Sequence, residues 1–156
     1  MTSIQVGDPA PDFTAQTQDS QQITLSDFRG QQAVVLFFYP MDGTPFCTAE
    51  ACAFRDAYDA FTQLGAAVIG VSGDSVAKHH QFAANHRLPF RLVSDPSGEI
   101  RNAFGVPKSL GIFPGRVTYL IDKKGIVRML FNSQLDPSRH VAEALQALKQ
   151  AADEPA

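Results

Sequence analysis

The sequence predicts an α/β fold with a parallel core and a late antiparallel hairpin. The apolar runs 33–39 and 66–72 are unbroken, which is typical of strands buried on both faces. Helical segments follow them at about 45–64 and 75–86, and such alternation favours a parallel sheet. Two further apolar runs flank Asp122-Lys123-Lys124-Gly125, a strong hairpin signal.

The remaining elements follow in chain order. Asp8-Pro9-Ala10-Pro11 and the alternating Ile23-Thr24-Leu25 predict a loop-rich N-terminal extension with a short hairpin. Phe90–Val93 predicts a short strand, and Asp95-Pro96 opens a short helix that ends at Gly105. These segments lie on either side of the parallel core.

Capping residues support the longer helices. Thr44 is a good N-cap, Pro45 suits the first helical position, and Gly65 is a plausible C-cap. After the hairpin strands at 117–121 and 126–131, Asp136-Pro137 caps a final helix with one apolar stripe. The order of elements is a thioredoxin-like arrangement with extra material at the N-terminus and between residues 90 and 116.

Composition bounds the class of protein. The chain has 156 residues, of which 44% are hydrophobic, so residues 1–156 are expected to form one domain with a real core. A net charge of -3 without a basic run makes nucleic acid an unexpected partner. No apolar segment approaches the ~20 residues of a membrane span, and the N-terminus does not resemble a signal peptide. We therefore expect a cytoplasmic protein without a membrane partner.

The two cysteines are the most informative residues. Cys47 and Cys52 are the only cysteines, and a helix that starts after Thr44 places Cys47 in its first turn. Free N–H groups and the positive end of the helix dipole favour a thiolate there. In a reducing compartment such a pair indicates catalysis, redox sensing or metal binding rather than a structural disulfide.

Helical geometry makes the two thiols unequal. At 100° per residue, Cys47 shares the core-facing stripe with Phe54, whereas Cys52 lies about 140° away, on the side of Arg55, toward solvent. Five residues of helix separate the two Cα atoms by about 8.7 Å, whereas a disulfide needs roughly 4.4–6.8 Å. If the two cysteines pair, at least the first turns of the helix must melt.

Simpler roles are also open. Free cysteines are often small core residues, although that role fits Cys52 poorly on a polar face. A zinc site is not expected, because the histidines lie far along the chain and show no pairing with the cysteine segment. We interpret the four histidines as surface residues or as core residues with satisfied hydrogen bonds: His79, His80, His86 and His140.

The stretch from Pro40 to Cys52 resembles the peroxiredoxins. Their pattern of Pro, three residues, Thr, two residues and Cys falls here on Pro40, Thr44 and Cys47. A second cysteine five residues on is similar to the Q-type group, also called the bacterioferritin comigratory protein group. The segment Gly111–Asp122 is similar to the arginine-bearing segment of that group. Phe46 departs from the pattern, since many relatives have glycine there.

The resemblance implies a thiol peroxidase that needs no cofactor or metal. Cys47 would attack hydrogen peroxide or an organic hydroperoxide and become a sulfenic acid, which Cys52 would resolve as an intramolecular disulfide. Thr44 would donate to the thiolate and accept from the peroxide, Arg116 would stabilise both charges, and Pro40 would shield the pocket. Each has a plainer rival role: a helix cap, a solvated charge and a strand end.

The expected reductant follows from the same resemblance, and two other functions stay open. Thioredoxin or a similar dithiol is the expected reductant, and an intramolecular disulfide makes a monomer the default. A thiol–disulfide oxidoreductase is an alternative, although its usual Cys-x2-Cys spacing is absent. A non-enzymatic peroxide sensor, signalling through disulfide-coupled melting of the helix, is another.

Overall fold

A computed structural model describes residues 4–106, 108–109, 113–133 and 136–152. The strands are β1 Thr14–Gln16, β2 Gln22–Thr24, β3 Ala33–Phe38, β4 Ala66–Ser72, β5 Arg91–Ser94, β6 Lys108–Ser109, β7 Phe113–Pro114, β8 Val117–Ile121 and β9 Val127–Asn132. The α-helices are α1 Pro45–Asp56, α2 Tyr58–Gln63, α3 Val76–His86, α4 Glu99–Phe104 and α5 Pro137–Ala152.

A mixed sheet in the order β5-β4-β3-β8-β9 forms the centre of the fold. β3, β4 and β5 run parallel, whereas β8 runs antiparallel to both β3 and β9. This confirms the predicted parallel core with a late antiparallel hairpin. The predicted N-terminal hairpin is present as β1 and β2, which pair antiparallel with Ala15 opposite Ile23.

The central strand β3 is buried along its whole length because both of its faces are covered. Val35 and Phe37 point to the face covered by α1, α2, α3 and α5, where Phe37 stacks on Phe54 of α1 with ring centroids 4.5 Å apart. Leu36 and Phe38 point to the other face, together with residues of α4 and the N-terminal extension. The unbroken apolar run at 33–39 was a correct signal for this environment.

Two helix predictions need correction. The single helix predicted over 45–64 is wrong, since the backbone at Ala57 has φ −97° and ψ 3° and divides it into α1 and α2. The helix predicted to open at Asp95 begins at Glu99. Asp95 still caps it, because its carboxylate accepts hydrogen bonds from the N–H groups of Ile100 (3.1 Å) and Arg101 (3.0 Å).

The described residues contain no helix that combines the length and apolarity needed to span a bilayer. The expectation of one domain over residues 1–156 stays a prediction. Of the arginine-bearing segment, Gly111 and Ile112 lie outside the described residues.

Close packing across the sheet makes Gly70 of β4 a sensitive position. A Cβ atom at Gly70 would lie 2.7 Å from Cζ of Phe37 and 2.9 Å from Cδ2 of Leu92. Both side chains are fully buried, so neither can move freely aside. We expect Gly70→Ala to lower the free energy of unfolding by about 1–3 kcal/mol in urea titrations. At Gly73 a Cβ would meet its nearest atom at 3.6 Å, so Gly73→Ala should cost far less; equal losses would contradict the packing argument.

Candidate active site

The sheet topology brings Cys47 and Arg116 together. α1 starts beyond the carboxyl end of β3, and Cys47 lies in its first turn, as predicted. Because β8 is antiparallel to β3, its amino end lies at the same edge of the sheet, and Phe38 pairs with Val117. Arg116, which precedes Val117, therefore reaches the first turn of α1. Cys47 and Arg116 are 69 residues apart in sequence, and the pairing of β3 with β8 brings them together.

Arg116 is shared between a thiol and a carboxylate. Its Nη2 donates to the Sγ of Cys47 at 3.2 Å, and its Nη1 donates to Oε1 of Glu50 at 3.0 Å. The three side chains are almost completely buried, with residue exposures of 1% for Cys47, 0% for Glu50 and 3% for Arg116. A buried guanidinium at a thiol favours the thiolate, since no water screens the attraction.

Glu50 was not expected to belong to the site. It lies on α1 one turn after Cys47, and its burial raises its pKa to about 7 despite the opposing attraction of Arg116. Only Oε1 has a hydrogen-bond partner, whereas the buried Oε2 lies 3.4 Å from Nδ1 of His140. The type of residue carried no signal for this role, because a glutamate in the first turns of a helix is commonly a solvated charge.

His140 of α5 lies behind Glu50 as a neutral ring. Burial lowers its pKa to about 4, so the contact with Glu50 is not an ion pair near neutral pH. Nε2 faces the carbonyl of Ser133 at 2.8 Å, and Nδ1 lies 2.7 Å from Oγ1 of Thr118. With the proton on Nε2, Nδ1 uses its single lone pair to accept from the Thr118 hydroxyl, so Oε2 of Glu50 contacts the ring without a hydrogen bond.

Thr44 occupies the predicted N-cap position, but its side chain is used differently. Its hydroxyl donates to the carbonyl of Met41 at 3.0 Å and caps no N–H group of the helix. A hydroxyl has one proton, so in this state it is not given to Cys47. The predicted donation to the thiolate is therefore not seen here. The first-turn N–H groups of Phe46 and Cys47 are left without a capping side chain.

Pro40 is half-buried and is separated from the end of β3 by Tyr39, and its shielding role stays a prediction. Arg101 of α4 was missed. It donates through Nη1 to the carbonyl of Gly115 and through Nη2 to that of Tyr39, each at 3.1 Å. These carbonyls precede Arg116 and Pro40, so Arg101 holds together the two segments that form the site.

The prediction that the histidines show no pairing with the cysteine segment is wrong. His140 contacts Glu50, His79 contacts Asp42, and His86 contacts Cys52. Long sequence separations hid these contacts, since α3 and α5 pack back onto α1 and its preceding loop. His79 and His140 are nevertheless satisfied core residues, as expected, and His80 is exposed.

Asp42 ties the loop between β3 and α1 to the rest of the fold. Its carboxylate accepts from the Tyr39 hydroxyl at 2.5 Å and contacts Nδ1 of the buried His79 at 2.6 Å. Its backbone N–H donates to Asp74 at 2.7 Å. The ligand atoms of Asp42, Asp74 and His79 lie within 4.8 Å of one another, a spacing that a metal could use. These hydrogen bonds already satisfy the group, so we assign it no metal.

Cys52 is less exposed than predicted. It lies on the other side of α1 from Cys47, as the helical angle required, but it is half-buried rather than open to solvent. Its Sγ lies 4.0 Å from Nδ1 of His86, at the end of α3. Both cysteines are free thiols and lie within one intact helix, so the estimated Cα separation of about 8.7 Å holds.

Comparison with known proteins places this geometry in a family. The model of the AhpC/TSA family matches residues 6–130. The chain is 47% identical to the chloroplastic peroxiredoxin Q of Triticum aestivum over 147 residues, which are 94% of this chain and 67% of that protein. Peroxidoxin BcpB of Mycobacterium tuberculosis is 35% identical with a TM-score of 0.87, over 94% of this chain and 97% of that one. Peroxiredoxin Q of Xanthomonas campestris is 30% identical with a TM-score of 0.86, over 96% and 98%.

The chain belongs to the AhpC/TSA family. Within it, the chain is a member of the peroxiredoxin Q, or bacterioferritin comigratory protein, group, and it has the thioredoxin-like fold of peroxiredoxins with an N-terminal hairpin. It is therefore an enzyme, a thiol peroxidase of the peroxiredoxin Q type. The sequence resemblance is confirmed at this level.

Arg116 should be required for the reaction of a peroxiredoxin with peroxide. Arg116→Ala removes the only side-chain donor recorded at the Cys47 sulfur among the described residues. We expect the second-order rate of peroxide consumption to fall about 10²–10³-fold, the usual cost of one donor at a developing charge. The chain contains no tryptophan whose fluorescence could report the reaction, so the remaining peroxide is measured by quench-flow.

The control is Arg139→Ala, which removes an exposed arginine of α5. Circular dichroism checks the fold of each variant. A double variant, Glu50→Gln with Arg116→Ala, avoids leaving the buried Glu50 carboxylate without its partner. An unchanged rate in a folded Arg116→Ala protein would remove Arg116 from the site.

Glu50 should make stability depend on pH in an unusual direction. Its pKa is about 7 in the folded protein against 4.5 in the unfolded chain, so the folded state holds the proton more tightly. The stabilisation is complete below pH 4.5 and is lost as the pH rises through 7. Glu50→Gln mimics the neutral form, so its stability relative to wild type should rise by on the order of 1–3 kcal/mol between pH 4.5 and 7.5. Urea titrations at several pH values measure this, and a constant difference would show that Glu50 titrates normally.

Proposed function

We propose that Cys47 reduces hydrogen peroxide and organic hydroperoxides, and that Cys52 resolves the product as an intramolecular disulfide. The contact between Arg116 and Cys47 at the first turn of α1 carries this proposal. It combines a fixed positive charge, free N–H groups and exclusion of water around one sulfur. That combination stabilises a thiolate and also the negative charge that appears on a leaving oxygen.

In the first step, the Cys47 thiolate attacks one oxygen of the peroxide and the O–O bond breaks. The sulfur keeps the attacked oxygen as a sulfenic acid, and the other oxygen leaves as water or an alcohol after it takes up a proton. Arg116 Nη2 already donates to the sulfur, so the guanidinium can also stabilise the negative charge as it moves onto the leaving oxygen. Thr44 can supply its proton only if its hydroxyl rotates away from the Met41 carbonyl.

In the second step, the sulfur of Cys52 attacks the sulfur of the Cys47 sulfenic acid, and water leaves. The intact helix keeps the two Cα atoms about 8.7 Å apart, beyond the roughly 4.4–6.8 Å of a disulfide. The first turn of α1 therefore has to unwind before this step. An external dithiol then reduces the disulfide and allows the helix to form again.

Two exposed apolar side chains support organic hydroperoxides as substrates. Phe46, next to Cys47, is 48% exposed, and Met41 in the preceding loop is 49% exposed. Both belong to the segment that surrounds the buried thiol, so an alkyl group of a bound hydroperoxide could lose water contact against them. The phenylalanine thus adds an apolar contact where many relatives have glycine.

Other proposals follow from the same assignment. We propose thioredoxin or a similar dithiol as the reductant. We also propose that residues 1–156 form one domain, since the hydrophobic clusters on the two faces of the central sheet share the strand β3. A monomer stays the prediction, because no second chain is needed to supply a resolving thiol. The cytoplasmic location also stays a prediction, and the relative from Triticum aestivum is named as chloroplastic.

Single-cysteine variants test the cycle. Reduced wild-type protein should consume one equivalent of hydrogen peroxide or cumene hydroperoxide, and mass spectrometry should then show a Cys47–Cys52 disulfide. Cys52→Ser should consume the peroxide equally fast but stop at a sulfenic acid, whereas Cys47→Ser should consume almost none. Far-ultraviolet circular dichroism should show a loss of helix in the disulfide form that a dithiol reverses.

Thioredoxin with its reductase should restore catalytic turnover of wild type. Under the same conditions Cys52→Ser should turn over more slowly. Reaction of Cys47→Ser as fast as wild type would refute the assignment of the attacking thiol. A disulfide form with undiminished helicity would refute the unwinding step.

A further inference from the structure

An imidazole that the first step does not use lies beside Cys52. His86 is the last residue of α3, and its side chain lies beside the second half of α1. Its Nδ1 is 4.0 Å from the Cys52 sulfur. A thiol can donate to an imidazole nitrogen at this distance because sulfur is large. No other recorded hydrogen-bond partner faces this sulfur among the described residues.

His86 is held in place by contacts on both sides. Its ring packs edge-on against Phe82, one turn earlier in α3, with centroids 5.0 Å apart. Its backbone carbonyl accepts a hydrogen bond of 2.8 Å from Nη1 of Arg55, which follows Cys52 on α1 by three residues. The ring and the thiol are therefore fixed on two helices that are themselves joined at this point.

One charged pair of α1 lies near the Cys52 thiol. Arg55 is the cation on α1, and it pairs with Asp56 at 3.0 Å. The pKa of Arg55 is raised, first by that hydrogen bond and then by attraction to Cys52. From α3, the group that faces the sulfur is His86 itself.

We propose that His86 is the general base that deprotonates Cys52 for its attack on the sulfenic acid of Cys47. The inference rests on the proposed two-cysteine cycle. In this step Nδ1 takes the proton of the Cys52 thiol, the S–S bond forms, and the S–O bond of the sulfenic acid breaks. The departing hydroxide takes up a proton and leaves as water, so the two sulfurs become a disulfide without any further oxidant.

The contact between His86 and Cys52 persists during the unwinding that the second step requires. Unwinding has to release Cys47 in the first turn, whereas Cys52 lies beside anchored residues. Phe54 is completely buried against Phe37, and Arg55 is bound to the end of α3. Cys47 therefore moves toward a resolving thiol that stays next to its base.

The first test follows disulfide formation after one equivalent of peroxide. His86→Gln should leave the peroxide-consuming phase unchanged and slow the disulfide-forming phase about 10–100-fold near neutral pH, a modest general-base effect. The deficit should shrink as the pH rises toward about 8.5, where a simple thiol ionises without help. The matched control is His80→Gln, which changes a histidine on the exposed side of the same helix.

A second test does not depend on peroxide chemistry. In Cys47→Ser the only thiol is Cys52, so its rate of alkylation by iodoacetamide can be followed against pH. Adding His86→Gln should move the half-maximal rate to higher pH, and adding His80→Gln should not.

The results separate the two proposals. An unchanged disulfide rate, a deficit that does not vary with pH, or an unchanged alkylation profile in His86→Gln would each overturn the role of His86. If wild type forms no Cys47–Cys52 disulfide, the two-cysteine cycle fails, and the alkylation profile still decides whether His86 assists the thiol.

Discussion

The site depends on one buried cation, the guanidinium of Arg116. It is the positive partner of both Cys47 and Glu50, and all three side chains are closed off from water. In such surroundings a charge without a partner is very costly, so the three groups determine one another's ionisation. A charged Glu50 takes up part of the guanidinium's attraction, whereas a neutral Glu50 leaves more of it for the thiolate.

The topology of the sheet places this cation at the site. An arginine that precedes an antiparallel strand and a cysteine that follows a parallel one arrive at the same edge of the sheet, because β3 and β8 are neighbours of opposite direction. Arg101 joins the two chain segments through their carbonyls. Thr118, the second residue of β8, hydrogen-bonds with His140 behind Glu50. Arg116 and Thr118 thus contribute to the site from one short stretch of chain.

Local signals in the sequence were sufficient for the strands of the central sheet, the N-terminal hairpin, the helix start and the inward thiol, but they did not predict the short pair β6 and β7. Apolar runs predicted β3 and β4, and Thr44-Pro45 predicted the first turn of α1. Arg116 came from a family motif, since no periodicity distinguishes it from a surface charge. Glu50, Arg101 and the histidine contacts could not be predicted, because each depends on how distant helices dock. The break at Ala57 and the bond of Thr44 to Met41 likewise result from tertiary geometry rather than residue preference.

The first turn of α1 has two conflicting requirements. It must be folded to hold Cys47 against Arg116, and it must unwind for Cys47 to reach Cys52. The distribution of contacts fits both, since the hydroxyl of Thr44 does not cap the helix, whereas Phe54 and Arg55 hold its second half. Asp42 limits the unwinding at the other side, because His79, Tyr39 and Asp74 hold the preceding loop. The movable part is therefore bounded by fixed points before and after it, so the thiol can travel without loss of the surrounding fold.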